Sequence, residues 1–466
     1  MPNFDFSTYL SPFTWRYGSD EMRTIFSEKH KIELWRKIWV ALAYAQYKAG
    51  LLSKKELDDL CKNEKNFDLD RILEIEKETK HDVVASIKEF AQKAKIGGGK
   101  IHLGATSMDI VDNADILKIK EALVVIKNRL HTILFLFANL IEKYAGFPCL
   151  GYTHLQPAEP TTVGYRLSLY AQDFYLDNLM IRIIEAEFLK AKGFKGAVGT
   201  GASYHSLLKN KKMAFDDFEK IVLKKLGISA FDITSQVYPR KIDYLLLTSL
   251  ASIAQSASKF ACDLRILQSP LYGEWSEPFG KKQVGSSAMP FKKNPIASEN
   301  ICSLSRYVCH LPVVALENGI HSYLERTLDD SANKRVIMPE AFLATDQILI
   351  TAEKIIQGLV INEKRITYNL NLYAPFAATE ILLMEAVKNG ANRQEMHENF
   401  REISLHSWQQ IQDGKPNPMA GLLINNRKLN KYLKKNEIKK LLNVENHIGN
   451  APQRALLLVK KIKQVF

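Results

Sequence analysis

The chain has 466 residues, of which 46% are hydrophobic and 25% charged, with a formal net charge of +13 at pH 7. That length exceeds one compact core of ordinary size, so two or three domains are expected, and the composition excludes a disordered chain. The opening MPNFDFSTYLSPFTWRYGSDEM lacks a basic region followed by an apolar run, and no 18-residue stretch is apolar without a charge. The reading is therefore of a cytoplasmic protein with neither signal peptide nor membrane span.

Five cysteines (Cys61, Cys149, Cys262, Cys302, Cys309) are odd in number and show no CxxC spacing. This fits reduced thiols better than a disulfide framework or a zinc site. The positive charge has three readings: a nucleic-acid-binding face, a lysine-rich surface, or a field that gathers a polyanionic small substrate. The densest run, NRKLNKYLKKNEIKK (426–440), has helical spacing and one aromatic residue, and reads as a solvated helix face.

In chain order, a region of shorter helices ends at KIGGGK (95–100). His81-Asp82 and His102 lie within it at loop-to-helix junctions, and Thr106 or Ser107 would cap a long helix beginning near Met108. Helical periodicity then extends well beyond three turns in four segments, 109–145, 161–192, 241–268 and 336–361. In the first, Ile116, Leu117, Ile119, Leu123, Ile126, Leu130, Ile133, Leu134, Phe137, Leu140 and Ile141 recur at three- and four-residue steps. Such lengths suit an elongated bundle, and Phe135 and Leu136 spill off the main stripe, implying burial on more than one side. An oligomer is expected on that ground alone.

The interruptions carry the polar chemistry. FPCLGYTHLQPAEPTT (147–162) holds His154 among three prolines that disfavour helix, so the histidine is either a neutral-pH acid on a loop or a structural residue. GFKGAVGTGAS (193–203) lacks a GK[ST] ending and a preceding strand, so its glycines read as turn and packing residues. The longest irregular stretch, 269–295, ends in VGSSAMPFKKNP. There Asn294 can cap a helix that has Pro295 at its first position and runs through Glu299 to about Leu311. Ser286, Ser287, Lys292 and Lys293 would then approach a helix N-terminus that favours anions, unless this is an ordinary exposed loop. In ERTLDDSANKR (325–335), a helix beginning near Ser331 puts Ser331 and Arg335 one turn apart, with Arg326 just before them. Two guanidinium groups and a hydroxyl suit a phosphate monoester; the alternative is that Asp329 and Asp330 simply pair with the arginines. After about 361 the helices shorten. The sequence thus describes an all-α chain with domains at 1–106, 107–361 (the long-helix bundle) and 362–466.

GSSAMPFKKNP resembles the signature of the fumarase/aspartase superfamily, G-S-S-x-M-P-x-K-x-N. WRYGSDEM, KHDVVA, HLGATSMDIVDN, GYTHLQPAEPTTVG, ERTLDDSANKR, PFAATE and NRQEMHE together resemble, within it, the adenylosuccinate lyase family. The resemblance implies an all-helical, three-domain fold and a homotetramer with a core of long helices and active sites shared between subunits. It implies β-elimination of fumarate from adenylosuccinate and from the succinylaminoimidazole-carboxamide ribotide of purine synthesis. Ser286 would be the base and His154 the acid, assisted by His81, and Asp82 beside it would be a substrate-binding residue. Lys292 and Asn294 would hold the succinyl end, with Thr106, Ser107 and Thr153 nearby. Arg16, Tyr17, Arg326, Ser331 and Arg335 would hold the phosphate, Gln236 would be another substrate contact, and Glu299 would orient the catalytic histidine or lysine. No metal or organic cofactor is implied, because the substrate carboxylates already acidify the proton removed; nor is a nucleic-acid partner. Asn300 departs from the arginine of some relatives, which bears on discrimination between the two purine substrates. Argininosuccinate lyase uses the same serine loop but has no phosphate to bind, so Arg326 and Arg335 speak against it.

Overall fold

The computed structural model describes residues 5–464; the first four residues of the N-terminal stretch read for a leader lie outside the described residues. Packing sorts the chain into two compact units, each assembled from three separate stretches. The first contains the chain up to Leu130, Asp177–Gln255 and Ser303–Ile350; the second contains His131–Leu176, Ser256–Cys302 and the chain from Thr351 onward.

In the first unit the Glu28–Lys48 helix buries Ile32, Trp35, Ile38, Trp39 and Leu42, an apolar stripe at three- and four-residue steps. It shares a core with Phe90 of the Asp82–Lys93 helix, with Ile110, Ala114 and Leu117, and with Phe218 and Val222 of the Phe215–Leu226 helix. A fully buried Arg36–Glu89 ion pair crosses this core, and the guanidinium lies 3.8 Å from the Phe90 ring centre. Burial pushes the Arg36 guanidinium down to about 10, against the pull of Glu89.

In the second unit Phe137, Phe174 and Phe260 pack ring to ring, with centroids 6.0 and 5.5 Å apart. A further core is built by Leu382, Ala386, Phe400, Met419, Leu423 and Ile438. Within the lysine-rich 426–440 run, Leu429, Leu433 and Ile438 are buried while lysines on the same stretch face solvent.

Helices dominate, with a small β component the sequence reading lacked. Pro148–Thr153 and Gln156–Thr162 form an antiparallel hairpin with a register shift between Leu150 and Tyr152. Its prolines are compatible with strands because a two-stranded ribbon has only edges. Trp275–Ser276 and Val360–Ile361 make a second, minimal pair.

The long helices mostly exceed or shift the expected limits. Ser107–Tyr144 spans 38 residues, and Lys241–Gln268 matches its expected range. The 161–192 segment is helical only over Val163–Ile183, since Thr161 and Thr162 belong to the strand, and it relaxes into a π turn over Ile184–Phe188. Asp329–Gln357 begins two residues before the start expected near Ser331 and seven before the periodic segment 336–361. Ile296–Ile320 continues past Leu311 because Pro312 removes one amide donor without ending the helix. Glu363–Lys388 spans 26 residues around Pro375, so the expected shortening sets in only after it.

By length and composition Ser107–Tyr144 and Glu363–Lys388 would suffice to cross a membrane. Ser107–Tyr144, however, carries Lys127 and Arg129 within its apolar stretch and fully buries Ile126, Leu130, Leu134, Phe137 and Ile141, as a core helix does.

Candidate active site

The first unit holds a cavity of about 640 Å³. His81, Asp82, Thr106, Ser107, Gln236, Arg326, Ser331 and Arg335 all line it. These eight residues come from four separated parts of the sequence, and the fold brings them together.

Thr106 and Ser107 are placed by Asp109, which is fully buried two positions into the Ser107–Tyr144 helix. The Asp109 carboxylate accepts from the Thr106 amide at 3.0 Å, the Gly196 amide at 3.2 Å and the Tyr204 hydroxyl at 3.3 Å. It also receives the ammonium of Lys192, itself fully buried. The glycine-rich 193–203 loop is thereby tied to the start of this helix, and Asn113 adds a reciprocal pair of hydrogen bonds with Gly193. Gly199 is obligatory there: its φ is +84°, and a Cβ would stand 2.0 Å from the Thr234 carbonyl oxygen.

The two arginines are paired differently. Arg326 Nη1 donates to Asp330 at 2.8 Å, whereas Arg335 Nη2 donates to Asp82 at 3.0 Å. Asp329 instead accepts from the Thr327 hydroxyl at 2.8 Å. Pairing with the adjacent acidic residues thus accounts for Arg326 only. The other Asp82 oxygen, Oδ1, accepts from the Val83 amide at 2.7 Å and lies 3.5 Å from His81 Nδ1. Asp82 therefore stands between a histidine and a guanidinium. Ser331 and Arg335 follow one turn apart on the Asp329–Gln357 helix, as the spacing predicts.

Beneath them lies a layer of buried charge that the sequence reading missed. Lys334 donates to Asp115 at 3.0 Å and to the Tyr238 hydroxyl at 2.9 Å, and that hydroxyl donates to Asp243 at 2.5 Å. Burial and the neighbouring Arg240 oppose the Lys334 charge, but Asp243, Tyr238 and Asp115 hold it well above the usual lysine range. Burial likewise opposes the Asp115 charge, which Lys118 and Lys334 nevertheless hold well below the usual carboxylate range. The available signal was Asp109, Asp112 and Asp115 at three-residue steps, which puts three carboxylates on one face near the start of the helix. The lining carries six carboxylates (Glu28, Glu76, Asp82, Asp112, Asp115, Asp330) and six basic residues (Lys31, Lys118, Arg240, Arg326, Lys334, Arg335). The positive charge of the whole chain is therefore not concentrated here.

Arg16 and Tyr17 belong to the first unit but not to the cavity lining; the Arg16 guanidinium lies 5.6 Å from the Trp15 ring centre and 6.0 Å from that of Tyr17. Thr153, His154, Ser286, Lys292, Asn294 and Glu299 belong to the second unit. His154 and Leu155 form the two-residue turn of the hairpin, with φ of +55° and +59°. A turn of this kind ordinarily uses Asn-Gly, so two side chains here occupy backbone that L-residues rarely adopt. The Tyr272 hydroxyl holds the turn through the Leu155 carbonyl at 3.0 Å. The result is an exposed histidine at the tip of a braced turn.

In the 284–295 loop, Ser286 Oγ accepts from the amides of Ala288 at 3.3 Å and Met289 at 3.1 Å. Donors aimed at a hydroxyl oxygen favour its ionised form. Asn294 does not cap the following helix; its side-chain amide donates to the Gly285 carbonyl at 2.9 Å and closes the loop on itself. The helix starts at Ile296, and Glu277 caps it by accepting from the amides of Ala297 at 3.2 Å and Ser298 at 2.5 Å. The anion-favouring amides expected beside Ser286 are thus already occupied by a carboxylate. Glu299 is exposed and 3.9 Å from Arg265. Among the described residues, no group of three or more His, Cys, Asp or Glu side chains is arranged to hold a metal ion.

The general lyase family model matches residues 15–309, and the model described as "Adenylosuccinate lyase C-terminus" matches 375–455. The chain is 37% identical to the adenylosuccinate lyase of Schistosoma mansoni, over 90% of this chain and 88% of that protein. It is 36% identical to that of Schizosaccharomyces pombe, over 98% and 95% of the two chains. The chain belongs to the adenylosuccinate lyase family. Within that family its likeness also reaches Pyrococcus horikoshii, at 35% identity over 97% of each chain. Among solved structures, a fumarate lyase from Mesorhizobium sp. BNC1 superposes with a TM-score of 0.83 at 24% identity, covering 97% of this chain and 99% of that one. A 3-carboxy-cis,cis-muconate lactonizing enzyme from Pseudomonas putida gives 0.83 at 20% identity, covering 97% and 99%. The chain thus shares its long-helix fold with these two structures.

Proposed function

We propose that the protein is a carbon–nitrogen lyase that cleaves adenylosuccinate to AMP and fumarate, and the succinylaminoimidazole-carboxamide ribotide by the same elimination. Family membership along nearly the whole chain carries this reading. Ser286 takes the proton from the succinyl carbon beside a carboxylate, leaving an aci-carboxylate carbanion. That electron pair forms the C=C bond of fumarate as the C–N bond breaks, and His154 delivers a proton to the departing nitrogen. A serine alkoxide is scarce at neutral pH, and each pKa unit of lowering is worth about 1.36 kcal/mol. The amides of Ala288 and Met289 supply part of that stabilisation without reorganising.

The phosphate of the substrate is taken by Arg326, Ser331 and Arg335, with Arg16 and Tyr17, and the succinyl carboxylates by Lys292 and Asn294, with Thr106, Ser107 and Thr153 nearby. Gln236 contacts the substrate, His81 assists with Asp82, and Glu299 orients a catalytic group. A homotetramer, with sites completed by neighbouring subunits, supplies the meeting of His81 with His154 and Ser286. Exposed Phe135, Leu169, Leu176, Val313 and Leu316 on the long helices are compatible with such association.

The test is spectrophotometric: purified protein, without added metal, should release fumarate from both purine substrates. No fumarate from either, with cleavage of argininosuccinate instead, would overturn the reading.

A further inference from the structure

We propose that Asp330 is a positioning residue that holds Arg326 ready for the substrate phosphate; this rests on the reading of Arg326 as a phosphate contact. The carboxylate divides its oxygens between two arginines. Oδ2 accepts from Arg240 Nε at 2.6 Å and Oδ1 from Arg326 Nη1 at 2.8 Å. Arg240 is fixed in turn by Asp112, Nη1 to Oδ2 at 3.2 Å and Nη2 to Oδ1 at 3.1 Å. Its guanidinium also lies 4.7 Å from the Tyr238 ring centre. The side chains of Asp112, Arg240 and Asp330 are at most 3% exposed, so this anchor is a nearly buried, mutually paired group in the wall of the cavity.

Arg326 is different. It sits in the irregular 321–328 stretch ahead of the Asp329–Gln357 helix, close to Leu324, whose φ is +49°. An arginine on such backbone has many rotamers, and freezing them on binding weakens affinity. The row Asp112–Arg240–Asp330–Arg326 alternates in sign and transfers the rigidity of the buried anchor to the last member. Burial opposes the Asp330 charge, but Arg240 and Arg326 hold its carboxyl below the usual range, so the row stays ionised. A guanidinium keeps further N–H groups beyond the one given to Asp330, and Arg326 lines the cavity. Asp330 therefore orients Arg326 without exhausting it.

A carboxylate beside a phosphate-binding arginine could equally be a competitor for that arginine, and the two roles predict opposite signs. Asp330→Asn retains shape but removes the charge and leaves one acceptor oxygen for two donating arginines, so one of the two bonds is lost and the other weakened. For a positioning residue, KM for adenylosuccinate and the inhibition constant for AMP both rise about tenfold, while kcat stays within about twofold. In an Arg326→Ala background, Asp330→Asn then adds no more than about a further twofold. A fall or no change in KM, or full additivity, overturns the proposal. If the asparagine variant does not fold, Asp330→Glu keeps the charge but shifts the oxygens by one methylene; KM should again rise with an unchanged melting temperature, and an unchanged KM overturns the proposal. The Arg326→Ala parent separates the two levels. If its KM is unchanged while turnover persists, the phosphate reading falls and the proposal with it. If its KM rises and that of Asp330→Asn does not, the positioning role alone falls.

Discussion

Replacing Gly285 by alanine should inactivate the serine loop without unfolding the protein. A Cβ at this position would stand 1.9 Å from the Lys292 carbonyl oxygen and 3.0 Å from its carbon. Ordinary contact begins near 3.4 Å, so backbone and carbonyl must separate by about 1.5 Å. Neither atom is the flexible end of a side chain. The separation also pulls on the 2.9 Å hydrogen bond from Asn294 to the Gly285 carbonyl, and Ser286 is the next residue. A misplacement of about 1 Å at a reacting group lowers turnover about 100-fold. Gly285→Ala should therefore reduce kcat for fumarate release by about two orders of magnitude or more. The loop is largely exposed and outside the hydrophobic cores, so the thermal midpoint should stay within about 2 °C of the parent, as for other surface substitutions. The assay pairs stopped-time fumarate release with a melting curve on the same preparation. A kcat within threefold of the parent would show that the Gly285–Lys292 approach is not what shapes this loop for catalysis.

Ser286→Ala should reduce turnover by about 100-fold or more with an unchanged melt, as expected for loss of a general base, and near-normal turnover would remove it from that role. Glu89→Gln leaves the Arg36 guanidinium charged and without its ion-pair partner in the core, so the urea midpoint should fall by the equivalent of about 3–5 kcal/mol; a change below about 1 kcal/mol would refute the assignment. His102 gives a pH dependence. Burial and nearby His81 push its imidazole down to about 4, with Asp109 opposing, and the Trp39 indole donates to its Nδ1 at 3.1 Å. The unfolded chain binds the proton first, so the stability present above about pH 6.5 is lost as pH falls towards 4, to an extent of about 3 kcal/mol. The slope of melting temperature between those limits should flatten in His102→Gln; an unchanged slope would point to other groups.

The parts of this fold that repeat were readable in advance. Ile116 to Ile141 advertises a helix because burial recurs every third or fourth residue, and that signal survives any tertiary detail. What resisted reading depends on partners far along the chain. His154 and Leu155 carry no turn signature, since their left-handed backbone is braced by Tyr272. Asn294-Pro295 looks locally like a cap, yet Glu277 does the capping. Pro312 and Pro375 look like breaks but sit inside continuous helices. At the site, Ser331 and Arg335 could be paired from spacing, whereas the split of Arg326 to Asp330 and Arg335 to Asp82 depends on the tertiary fold, which brings Asp82 from far along the chain. The roles of Ser286 and His154 came from resemblance, because a serine among lysines and a histidine among prolines do not declare a reaction.

Glu277 does more than end a helix. It stands where the 278–295 segment departs and grips the Ile296–Ile320 helix where that segment returns, through the amides of Ala297 and Ser298. The segment is thus stapled at its neck, where Gln268 adds a second tie by accepting from the Glu277 amide and donating to the Lys293 carbonyl. Closing the ends of a flexible stretch is the main entropic penalty of its length, and here that penalty is met within the fold, before any ligand arrives. Sequence drift at the tip should consequently alter how fast this protein works long before it alters whether the protein folds.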